Sequence, residues 1–181
     1  MKRMLFGILA VAGAVALAAV STAGGTATQK GKGKGKPSMS ATPVFKLVLK
    51  PSQEVPRIRG LRANAVGHVT FDLTRDSSGA VTSGEVIFYF NYSFPSSVTI
   101  SGLHVHQGAK GTNGGIVVDS GTSEPPDADG HGNITRVVSG SPATLQAILD
   151  NPRNYYVNLH TTTPPHPGGA LRAQMHNPKK R

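Results

Sequence analysis

Three histidines fall on the faces of two strand-like runs that point away from the apolar residues, and the chemistry they offer is that of nitrogen ligands. His104 and His106 are separated by one residue in Gly102-Leu103-His104-Val105-His106-Gln107-Gly108, and His160 closes Tyr155-Tyr156-Val157-Asn158-Leu159-His160. Side chains alternate faces along a strand, so Leu103 and Val105 point one way and the two histidines the other. By the same alternation Tyr155, Val157 and Leu159 form an apolar face opposite Tyr156, Asn158 and His160. A histidine pair at i, i+2 presents two nitrogens to one ion, and a third from a neighbouring strand completes a set suited to zinc or copper. The same imidazoles also serve as hydrogen-bonding groups across strand edges. Asp119 is available either as a fourth ligand or as an orienting group behind one ring.

Other chemistries are not supported by the sequence. There is no G-x-S-x-G elbow for a serine nucleophile. Gly111 to Gly115 is glycine-rich but lacks the lysine-plus-hydroxyl ending and following helix of a phosphate loop, so it reads as a turn. No catalytic residue is assigned, and the chain is expected not to be an enzyme. On the last strand, Arg172 is expected to make an ion pair with Glu85 or Asp119.

The elements that must position these residues read as strands. Val44 to Leu49 is an apolar run ended by Pro51, and Ala65 to Leu73 alternates with Val69, Phe71 and Leu73 on one face. Val81 to Tyr92 is apolar on both faces between Val86 and Phe90, which places it centrally in a sheet, with Val98 to Gln107 expected as its partner. Gly115 to Asp119 and Asn133 to Val138 are shorter strands. Ser141-Pro142 is an N-cap followed by proline at the first helical position, and Leu145, Ile148 and Leu149 recur at helical spacing until Pro152. Tyr155 to Thr161 and Gly169 to Met175 complete the set, joined by a loop through Pro164, Pro165, His166 and Pro167. About eight strands and one short helix indicate an all-β Greek-key sandwich.

Outside this domain, residues 1–23 have the pattern of a secretory signal: Lys2 and Arg3, an apolar run from Leu5 to Val20, and small residues at Ser21-Thr22-Ala23. Cleavage there leaves no transmembrane anchor, and the protein is expected to be secreted, extracellular or periplasmic. Residues 24–43 are a Gly- and Lys-rich flexible linker, residues 44–176 the domain, and residues 177–181 a basic tail. The net charge is +10, but nine of the nineteen basic residues lie in the signal, the linker and the tail. The domain keeps ten basic against nine acidic residues, so no specific nucleic-acid partner is expected. With no cysteine, the domain must be held by its core without covalent staples.

Several motifs together resemble one family. Gln53-Glu54-Val55-Pro56, Leu103-His104-Val105-His106, Gly111-Thr112-Asn113-Gly114-Gly115-Ile116-Val117-Val118, Tyr155 to Thr161 and Pro167 to Gln174 are similar to the CHRD, or chordin-type, domain. The resemblance implies an immunoglobulin-like or superoxide-dismutase-like β-sandwich with no general catalytic activity. The expectation is an exported binding or scaffolding module for an unknown protein or cell-surface polymer, without a cofactor. The alternative is a copper- or zinc-binding sandwich that uses His104, His106 and His160. His104-Val105-His106 also resembles the copper-binding strand of the copper/zinc superoxide dismutases. This chain has neither the cysteines nor the histidine-rich zinc loop of those enzymes.

Overall fold

A computed structural model describes residues 42–178. The expected signal segment, nearly all of the linker and most of the basic tail lie outside the described residues. Eight strands are formed: β1 (Val44–Leu49), β2 (Asn64–Arg75), β3 (Val81–Ser93), β4 (Thr99–Gln107), β5 (Ile116–Asp119), β6 (His131–Ser139), β7 (Tyr155–Thr163) and β8 (His166–Gln174). They make two four-stranded antiparallel sheets, in the orders β1-β2-β3-β6 and β5-β4-β7-β8. The expected all-β sandwich is what forms. Among the described residues no helix is long and apolar enough to cross a membrane.

The two inner faces follow from alternation. In β2, Ala65, Val69 and Phe71 are buried, and Val86, Phe88 and Phe90 of β3 lie beside them. From the second sheet Leu103, Val105, Val157, Leu159 and Leu171 meet this layer in one core. Each fully buried aliphatic or aromatic side chain contributes roughly 1.5–3 kcal/mol, which is how a cysteine-free domain of this size is held.

One pairing differs from the expectation. β3 is central, but its neighbours are β2 and β6, and β4 belongs to the other sheet beside β5 and β7. The segment Phe94-Pro95-Ser96-Ser97 therefore crosses between sheets instead of turning a hairpin. Phe94 N–H donates to Gly130 O at 2.9 Å, and Val98 and Asp127 exchange two backbone bonds, so both ends of the crossing are tied to the loop before β6. This crossing puts the histidine strand next to β7.

The helix forms as expected. In α1 (Pro142–Asp150) the Ser141 hydroxyl accepts from Thr144 N–H and Pro142 occupies the first turn. Leu145 and Ile148 are buried, with Leu145 against Gly84 and Gly140, where any Cβ would collide with it. The final hairpin is tighter than the proline-rich spacing suggested. β8 begins at His166, leaving a turn at Pro164-Pro165.

Candidate metal centre

β4 and β7 run antiparallel, with Gly102 opposite His160, His104 opposite Asn158 and His106 opposite Tyr156. The three imidazoles project from the face turned away from the core and meet. Ring centroids are 4.8 Å apart for His104 and His160, 5.5 Å for His106 and His160, and 5.6 Å for His104 and His106. One nitrogen from each lies within 4.8 Å of the others. Gly102 makes this possible: a Cβ there would stand 2.5 Å from His104 Cε1 and 2.8 Å from its Nε2. The missing side chain is the space into which the His104 ring folds toward His160.

Two of the rings are held by backbone carbonyls. His106 Nδ1 is 3.0 Å from Gly114 O, and His160 Nδ1 is 2.9 Å from Pro167 O. A carbonyl only accepts, so each Nδ1 carries the proton and each Nε2 of the neutral ring presents a bare lone pair. Those two Nε2 atoms are 3.4 Å apart. Neither neutral ring has a proton to place between them. A tetrahedral ion at 2.0–2.1 Å from two imidazole nitrogens holds them about 3.4 Å apart, so the spacing fits zinc or copper directly. The separations to the third nitrogen, within 4.8 Å, need to shorten by up to about 1.4 Å to close the set.

All three histidines have their basicity lowered, in each case first by burial. His104 is lowered further by His160, His106 by His160 and Arg172. The neutral, metal-ligating form is therefore favoured near neutral pH. Asp119 lies opposite His104 across the β4–β5 pair, and its Oδ1 is 3.4 Å from His104 Nε2. The same oxygen accepts from Gly121 N–H at 2.8 Å, which fixes the carboxylate at the rim of the cluster. His104 Nδ1 is buried and no protein group meets it.

A second layer stands behind the ligands; alternation puts Tyr156 on the histidine face but does not indicate its stacking or the buried Arg172 behind it. Tyr156 stacks on His106 with 4.9 Å between centroids and 8° between planes. The Arg172 guanidinium sits 3.5 Å from the centre of the same tyrosine ring. Arg172 is 2% exposed and makes neither ion pair expected of it with Glu85 or Asp119. It donates instead to Asn113 Oδ1, Thr112 O, Ala109 O and Gln174 Oε1, because the loop between β4 and β5 closes over β8 and removes its side chain from the surface. Several carbonyls of that loop thus face protein donors, and it is a turn that braces His106 through Gly114. Glu54 is also buried: its carboxyl, 3.5 Å from Asn158 Nδ2, is pushed up to about 7 by burial, against the opposing pull of Arg172.

The structure therefore brings His104, His106, His160 and Asp119 together. His131 and His166 lie outside the cluster, each at the first position of a strand. Gly102, Tyr156 and Arg172 were not singled out for the site; a glycine two residues before a strand histidine was the one local signal available. Compared with known proteins, the family model described as the CHRD domain matches residues 45–175. No curated protein and no solved structure matches the chain.

Proposed function

The chain belongs to the CHRD domain family of extracellular binding modules, and on that premise we propose that it is a non-enzymatic exported module that holds one copper or zinc ion on His104, His106 and His160. The observation that supports this reading is the 3.4 Å approach of two Nε2 atoms whose Nδ1 protons are both committed to backbone carbonyls. Such a pair of lone pairs is repulsive until a cation stands between them. Imidazole donors suit copper and zinc, and Asp119 at the rim supplies an oxygen for the fourth position.

The test is metal analysis of the full chain after exposure to zinc or copper and dialysis against a weak chelator. About one ion per chain is expected, with retention lost in His104→Ala, His106→Ala and His160→Ala. Histidines that serve only to bond strands together would leave no retained metal, or equal retention in all three variants. Circular dichroism of each variant separates loss of a ligand from loss of the fold.

A further inference from the structure

A separate feature lies in the segment between β1 and β2. Lys50, Arg57, Arg59 and Arg62 fall within thirteen residues and are all exposed. The one acid of that stretch, Glu54, is turned inward and 6% exposed. Among the described residues none of the four cations has a carboxylate within ion-pair distance, and none of their side chains donates a hydrogen bond to a protein acceptor. Lys50, Ser52, Arg57, Arg59 and Gly60 line a cleft of about 490 Å3 together with half-buried Ile58 and Leu61.

The segment is firmly placed. Lys50 exchanges backbone bonds with Arg172 at 3.0 and 3.3 Å, Ile58 N–H donates to Pro51 O at 3.2 Å, and Asn113 Nδ2 donates to Val55 O at 2.6 Å. Arg57 and Arg59 flank Ile58 and both are exposed, their Cα atoms about 7 Å apart if the backbone is extended. A pair of planar forks with no carboxylate partner, carried on a fixed backbone, favours a ligand with repeated carboxylate or sulfate groups. Nothing aromatic lines the cleft on which a base would stack, which separates it from a single-strand nucleic-acid groove.

We propose that this cleft binds an anionic polysaccharide through Lys50, Arg57 and Arg59, independently of the histidine cluster. The site differs in chemistry from the lysine-rich termini, whose ammonium groups act as point charges and not as planar forks. The test measures binding of the full chain to polygalacturonate, dextran sulfate, neutral dextran and single-stranded DNA. One of the two anionic glycans is expected to bind, and which one does identifies carboxylate or sulfate as the preferred group. Arg57→Gln/Arg59→Gln should weaken it at least tenfold, and Arg57→Lys/Arg59→Lys by an intermediate factor, because the charge stays while the fork is lost. Lys30→Gln/Lys32→Gln removes the same charge from the linker and should weaken binding less than the arginine pair does. No binding to either glycan, equal loss in the linker variant, or DNA bound as tightly as glycan would overturn the proposal.

Discussion

At the residue scale the site turns on which ring nitrogen carries a proton. Gly114 O and Pro167 O each take an Nδ1–H, and this alone aims two Nε2 lone pairs at one point. Gly102 supplies the remaining condition, room for the third ring. Gly102→Ala puts a methyl where His104 Cε1 and Nε2 now lie, and the atoms it meets are the movable end of a side chain. The expected outcome is a metal affinity reduced about tenfold with little change in melting temperature, read by competitive chelator titration. The alternating histidines were legible because strand periodicity is local. The glycine was not, since its role depends on how the ring of a residue two positions away folds back.

At the scale of elements, the loop from Gly108 to Gly115 joins β4 to β5, and Arg172 of β8 clamps it. Replacing Arg172 with Met leaves Asn113 Oδ1 and Thr112 O without their donor and removes the cation from the Tyr156 ring. A loss of about 2–4 kcal/mol in urea unfolding is expected. Arg172→Lys should recover only part of it, because a point charge cannot reach several acceptors at once. Nothing local in Ala170-Leu171-Arg172-Ala173 distinguishes an arginine that lies under a loop from one that faces solvent, which is why a surface ion pair was expected there. The crossing at Phe94-Pro95-Ser96-Ser97 was hidden for a similar reason. A short polar, proline-containing link between two apolar strands has the composition of a hairpin turn, and only its ties to Gly130 and Asp127 show that it changes sheets. Strand identities, by contrast, and the helix from Ser141 were legible from alternation and capping.

At the scale of the whole molecule, burial of Glu54 links stability to pH. Its carboxyl loses its proton at about 7 in the folded chain, against an ordinary 4.5. Between those values the unfolded chain releases a proton that the folded chain keeps, so this group's contribution to stability falls as pH rises from 4.5 to 7 and is flat above. The change is about 3 kcal/mol at most. Glu54→Gln removes the titration, so its stability relative to the unsubstituted protein should increase across that window. A difference independent of pH in paired urea melts at pH 4.5 and 8 would contradict the burial argument. Metal acts on the whole molecule as well, because its ligands come from two strands assembled only by folding. An ion at a hundredfold excess over its dissociation constant should stabilise the chain by about 2.7 kcal/mol. Thermal melts should show this as a rise in melting temperature that is absent from His106→Ala.

The central claim is that three imidazoles converge on one ion, and X-ray absorption at the metal edge of the zinc- or copper-loaded full chain tests it most directly. The account predicts about three imidazole nitrogens at roughly 2.0–2.1 Å with one oxygen ligand, and loss of one imidazole in His160→Ala. A spectrum of oxygen ligands alone, unchanged by that substitution, would contradict it and leave the histidines as bracing between β4 and β7.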